Sequence, residues 1–369
     1  MLGYAADDQS GVLIVNGAAG TADVARQVIT GWRAQLDRCA AMRTELHAVA
    51  REYGALAIIV TSRGSARGTE VKLMTFDPIE ISRRVRALGT EISPASIEGT
   101  AALYAPFQER EPYAGVNVAR DLTYGPNERH RLDVFHASGG STPRPVLLFV
   151  HGGGFVGGDK RMPGSPYNDN VALWAARHGL VGVNMTYRLA PQFRWPAGAE
   201  DVGAALQWVR QSIGAHGGDP RRIFLLGTSA GAVHVASYVT QRDLHPATGP
   251  GLAGAILLSG IYDLQLMPRN PMHTAYYGED AQQYRRASTF DGLIETTVPL
   301  MLVLTEMDPA DFQRQGLELL KAWFARHGRW PHFVHMPAHN HLSSTMHFNS
   351  PDGYLGAQVL EFMGRAAAA

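Results

Sequence analysis

The chain is short of cysteine, of net charge and of long apolar runs. Its 369 residues include one cysteine, Cys39. No intrachain disulfide can form, and nothing requires an oxidising compartment. Lys+Arg and Asp+Glu both number 33, so the formal charge is zero. That balance argues against a nucleic-acid binder, which would carry a basic stripe. Charged residues make up 18% and hydrophobic residues 45% of the chain, which excludes a largely disordered protein. The longest apolar runs, such as 146–150 and 300–304, are of strand length. A membrane span needs ~18–20 residues. The opening MLGYAADDQSG has no basic region leading into an apolar stretch, so no signal peptide is expected and a cytoplasmic setting is the default.

Two unequal parts follow. Residues 1–85 read as an extension of unknown role: a short strand near 12–15, a helix over 21–53, another strand over 55–61, then a Gly/Ser/Arg break at 63–68. Gly17-Ala18-Ala19-Gly20 lacks the spacing and the ending of a phosphate loop, so it reads as structural. Beyond 85, strand-like runs alternate with helical segments. Strands are expected at 116–124, 131–136, 146–150, 180–186, 223–226, 255–258, 300–304 and 332–336. Helices are expected at 171–178, 200–212, 230–241, 312–327 and 358–365, with an irregular insertion before residue 300. Such alternation implies an α/β architecture, a mainly parallel sheet covered on both faces.

Two motifs carry chemistry. Gly227-Thr228-Ser229-Ala230-Gly231 is a G-x-S-x-G between a short apolar strand and a helix, the setting that exposes a nucleophilic serine on a sharp turn. The neighbouring glycines let strand and helix approach, and the helix N-terminus supplies partial positive charge. His151-Gly152-Gly153-Gly154-Phe155 follows the strand at 146–150. Consecutive glycines leave main-chain amides unobstructed, able to bind the oxygen of a tetrahedral intermediate. A plain glycine-rich turn would read the same in isolation; the two motifs support each other.

With HGGGF at 151–155, YRLAP at 187–191, PAGAED at 196–201, GTSAG at 227–231 and Asp308-Pro309, residues 86–365 resemble the α/β-hydrolase fold, specifically the hormone-sensitive-lipase-like carboxylesterases. Thr228 before the serine and Gly231-Ala232 after it depart from that family's usual pattern. They and SGIYDL at 259–264 look closer to the kynurenine-formamidase-like and feruloyl-esterase-like branch. The resemblance implies an α/β-hydrolase domain over 86–369, with cap elements near 86–115 and 264–290.

The acid of such a site follows a late strand, and the base lies in the loop after the last one. Glu306, Asp308 and Asp311 all follow the run at 300–304. An exposed loop charge suits Glu306, and a helix-start charge suits Asp311; the resemblance points to Asp308. His339 and His341 both follow the final strand and either could take a proton from Ser229; the HNHLS stretch resembles the branch in which the second histidine acts. The expected set is therefore Ser229, Asp308 and His341, with the amides of Gly153, Gly154 and Ala230 as oxyanion hole. Phe155 and Trp195 are candidates for lining the substrate pocket, or for core packing. Glu200-Asp201 reads as helix capping or as support behind the site, and 83–86 as a solvated basic face. Tyr187 and Arg188 resemble a structural motif near the glycine loop and read as scaffold. The histidines at 332, 335, 339, 341 and 347 lack a completing cysteine or acidic motif, so no metal or cofactor is expected.

The function this implies is hydrolysis of a small-molecule carboxylic ester, with a short to medium acyl chain, through an acyl-enzyme. An amidase or arylformamidase using the same triad is the alternative within catalysis. A non-catalytic ligand receptor on the same scaffold is the alternative outside it. The resemblance also allows a homodimer.

Overall fold

The apolar runs line up as one sheet in the computed structural model, which describes residues 4–7, 10–13, 76–139, 142–162 and 164–366. The strands are β1 (Val116–Thr123), β2 (Arg131–Ala137), β3 (Arg144–Val150), β4 (Val181–Met185), β5 (Gly218–Thr228), β6 (Gly254–Leu258), β7 (Leu300–Met307) and β8 (His332–Asn340). Their order across the sheet is β8-β7-β6-β5-β3-β4-β2-β1. β2 pairs antiparallel with both β1 and β4, and every other pairing is parallel. This is the α/β-hydrolase fold, as the resemblance implied. A separate antiparallel pair, Tyr4–Asp7 with Ser10–Leu13, overlaps the strand expected at 12–15. The helix at 21–53, the strand at 55–61 and the segment at 17–20 lie outside the described residues.

Alternation along the strands builds two cores. Val146, Leu148, Val150, Ile223 and Leu225 face one side, with Val202, Val235 and Leu319. Leu147, Phe149, Phe224 and Leu226 face the other, with Trp174, Leu355 and Phe362. The covering helices are therefore α4 (Ala197–Ser212), α5 (Ala230–Thr240) and α9 (Ala310–His327) on one face, and α3 (Asp169–Arg177) and α11 (Tyr354–Ala366) on the other. Phe149, 1% exposed, stands in register with Asn184 of β4 and Leu226 of β5; its truncation to alanine would cost ~3–5 kcal/mol.

Three readings needed adjustment. Helix α1 (Pro78–Ala87) runs across the expected boundary at 85–86, and its Ile81 and Val85 are buried with Leu103, Tyr104 and Tyr167. Its start is signalled by Asp77, which accepts from the amides of Ile79 and Glu80, and by Pro78. The insertion before β7 is not irregular: it holds α6 (Pro271–Tyr277), α7 (Ala281–Ala287) and α8 (Phe290–Glu295). These helices are too short for their periodicity to show in sequence. β8 runs on past residue 336 through a register shift between Met336 and Asn340, with Ala338 at φ 61°. His339 thus ends a strand rather than lying in a loop. Two further helices complete the body, α2 (Pro94–Tyr104) and α10 (Ser343–Met346).

Among the described residues, no helix is long and apolar enough to cross a membrane.

Candidate active site

Parallel pairing brings the C-terminal ends of β5, β6, β7 and β8 to one edge. Thr228 is in register with Leu258, Leu258 with Val303, and Met307 with Asn340. The residues that follow these ends are Ser229, Ser259, Asp308 and His341. Open parallel sheets place their sites at this edge.

Ser229 stands between β5 and α5 at φ 54°, ψ −122°, a conformation that non-glycine residues rarely adopt. Its amide donates to the carbonyl of Leu258 at 2.9 Å. The turn closes because its flanks lack side chains. A Cβ on Gly231 would lie 2.1 Å from the carbonyl oxygen of Val150, and one on Gly227 2.5 Å from that of Gly231.

The glycine loop lies directly against this turn: a Cβ on Gly152 would be 3.2 Å from Ser229 Cβ. Gly153 and Gly154 take φ 133° and 59°, angles open to glycine. The loop's carbonyls are tied away from solvent. The Tyr187 hydroxyl donates to the carbonyl of His151 at 2.9 Å. The carbonyl of Gly153 accepts from the amide of Gly157 at 3.0 Å. Ala230 is buried at the start of α5. Burial pushes His151 down to about 4 and the neighbouring His234 down to about 3, so both are neutral at pH 7.

Asp308 and His341 meet. His341 Nδ1 is 2.8 Å from Asp308 Oδ1, with Asp308 fully buried and His341 6% exposed. Asp308 Oδ2 accepts from Ser259 Oγ at 2.6 Å and from the amide of Thr305 at 2.7 Å. Both oxygens of the carboxylate thus have close hydrogen-bond partners. His341 Nε2 is buried without a hydrogen-bond partner, and the Phe312 ring lies 4.6 Å from the imidazole.

The rivals are engaged elsewhere. Glu306 makes a bidentate pair with Arg86, 2.9 Å on each oxygen, and accepts from the amide of Ala338 at 2.6 Å. Those donors, led by Arg86, hold its carboxyl down to about 2. Arg86 therefore fastens α1 to β7 rather than merely facing solvent. Asp311 lies 3.7 Å from Arg314 one turn along α9. His339 faces Ser343 Oγ at 3.1 Å and Asp352 at 3.3 Å. Of the other clustered histidines, His332 packs edge-on against Phe362, whereas His347 packs edge-on against His339 at 5.0 Å and also touches Phe348.

Phe155 is 4% exposed and stacked on Tyr276, with centroids 4.6 Å apart. It belongs to an apolar cluster with Ala230, Ile261, Tyr277 and Tyr284, against which Trp195 and Phe312 pack. Asp201 is a buried anchor rather than a helix cap. It accepts from the Arg188 amide at 2.7 Å and faces His130 Nε2 at 3.0 Å. Sequence reasoning did not single out Ser259 or Phe312 for the roles their contacts give them. Ser259 alone left a signal, since it follows β6 as Ser229 follows β5.

Residues 147–308 match the family model described as alpha/beta hydrolase fold. Esterase LipC of Mycobacterium tuberculosis is 33% identical over 176 residues, 44% of this chain and 43% of that protein. The probable carboxylic ester hydrolase LipM of the same organism is 28% identical over 232 residues, 60% of this chain and 52% of that one. The chain thus spans about half the length of the curated relatives it matches. Among solved structures, an inhibited esterase B from Lactobacillus rhamnosis superposes with a TM-score of 0.60 at 19% identity, covering 78% of this chain and 97% of that one. A truncated carbohydrate esterase from gut microbiota gives 0.58 at 17% identity, over 69% and 97%.

Proposed function

Starting from an α/β-hydrolase fold whose relatives are named esterases, we propose that this chain is a serine hydrolase of carboxylic esters. The observation that carries the proposal is the Asp308–His341 pair. One imidazole nitrogen is held by a buried carboxylate and the other is left without a partner, at the same sheet edge as a strained Ser229. In this reading His341 Nε2 takes the Ser229 proton as Oγ attacks the ester carbonyl. Asp308 holds the imidazole in the tautomer with Nδ1 protonated and stabilises the imidazolium. The amides of Gly153, Gly154 and Ala230 bind the developing oxyanion. His341 then protonates the leaving alcohol, and the same base activates the water that releases the acid.

The buried, aromatic surroundings of the apolar cluster around Phe155 support an apolar acyl group of short to medium length. A cytoplasmic setting and a homodimer belong to the same proposal; fractionation and sedimentation test them. Hydrolysis of p-nitrophenyl esters from C2 to C16 by wild type and Ser229→Ala tests the chemistry. Activity peaking at short chains and falling by about a million-fold in the variant is expected. Undiminished activity in the variant would remove Ser229 as nucleophile, and faster turnover of matched amides would replace the ester reading.

A further inference from the structure

The first turn of α6 rests on the glycine loop. A Cβ placed on Gly154 would lie 2.3 Å from Met272 Sδ, 3.5 Å from its Cγ and 3.6 Å from its Cε. The end of the Met272 side chain therefore occupies the space over that glycine. Met272 is nonetheless 44% exposed, so it stands beside solvent and not in a core. The backbone that carries it is held on several sides. Asn270 accepts from the amide of His273 at 2.9 Å, and Pro271 opens the helix. Further along, the carbonyl of Tyr276 accepts from the amide of Trp195 at 3.0 Å, and its hydroxyl from that of Gly198 at 3.2 Å. The next residue, His273, is buried and lies 6.0 Å from the Phe155 ring. A fixed helix thus presents one unbranched, rotatable side chain to the loop that carries the candidate oxyanion amides.

We infer that Met272 sets the size of the ester group that passes across the oxyanion loop. This inference rests on the esterase reading above. A small group fits beside the thioether as it stands. A larger one has to turn the side chain aside, losing its packing on Gly154 and some rotamer freedom. Removing the side chain beyond Cβ opens that space, and a larger ring closes it.

The test compares kcat/KM for Met272→Ala, Met272→Leu, Met272→Trp and wild type in two series. One varies the acyl group, p-nitrophenyl acetate to decanoate; the other varies the alcohol, methyl to naphthyl butyrate. The ratio of large to small substrate should rise by roughly tenfold in Met272→Ala and fall as much in Met272→Trp. Met272→Leu, of similar volume, should keep the wild-type ratio. The series that responds identifies the group that crosses the loop. Unchanged ratios in both series, with an active wild type, would overturn the inference and leave the esterase reading intact. A wild type inert toward every ester, and unlabelled by a serine-directed phosphonate, would remove both.

Discussion

Ser259 donates its hydroxyl to Asp308 Oδ2 at 2.6 Å, on the oxygen opposite the one that faces His341. Ser259, which follows β6 as Ser229 follows β5, thus holds the carboxylate from the side away from His341. Ser259 is fully buried at φ 47°, so its orientation is set by the sheet edge and not by solvent. Ser259→Ala leaves the carboxylate with one fewer donor and freer to rotate. A hydrogen bond to a charged group is worth ~1.5–3 kcal/mol, so kcat should fall by roughly tenfold to a hundredfold. A wild-type kcat in the variant would show that the amide of Thr305 holds Asp308 unaided.

The two adjacent histidines should separate cleanly. His341→Gln removes the imidazole paired with Asp308 and should lower kcat by several orders of magnitude. His339→Gln disturbs the contact with Asp352 and Ser343. It should lower the melting temperature while keeping most of kcat. The reverse pattern would move the base to His339.

Tyr187 is a positioning residue in this reading. Its hydroxyl holds the carbonyl of His151 from beneath the loop, and the ring stacks on the His151 imidazole at 4.3 Å. Tyr187→Phe keeps the stacking and removes one hydrogen bond. The loop amides should lose alignment with the transition state more than with the substrate. The expected result is a kcat about tenfold lower with KM nearly unchanged. A change in KM alone would point to lost substrate binding and not to alignment of the amides with the transition state.

Acid should weaken the fold before it protonates the carboxylates. Burial pushes His151, His234 and His347 down to about 4, 3 and 4, against ~6.5 in an unfolded chain. Between those values the unfolded state binds more protons, so stability falls as pH falls from roughly 6.5 toward 4. Each such histidine contributes a slope of up to about 1.4 kcal/mol per pH unit. Urea denaturation from pH 7 to pH 4.5 should show this fall, and His234→Gln should flatten it. An identical slope in the variant would mean that His234 is not the buried neutral group described.

Much of the site was legible in the chain itself. Gly227 and Gly231 flank Ser229 because any side chain there would meet backbone oxygens at 2.5 and 2.1 Å, so the turn writes itself into the sequence. Gly153 of the HGGG run is visible for the same reason, since a Cβ there would lie 2.1 Å from the carbonyl oxygen of Gly157. The candidate acid and base were legible only as sets of neighbours. Glu306, Asp308 and Asp311 differ by a few positions, yet only Asp308 meets His341. Glu306 is claimed by Arg86, 220 residues earlier.

What the sequence alone determined is local: strand alternation, the glycines that a tight turn demands, and the order of serine, acid and histidine. These depend on contacts within a few residues, which leave a pattern in neighbouring positions. Only the tertiary structure decided the partners. Ser259 with Asp308, Tyr187 with the glycine loop, Asp201 with Arg188 and His130, and Met272 on Gly154 all join distant segments. Such pairings depend on which strand ends the parallel sheet brings side by side. A hydroxyl or a thioether looks the same in sequence whichever neighbour it finds.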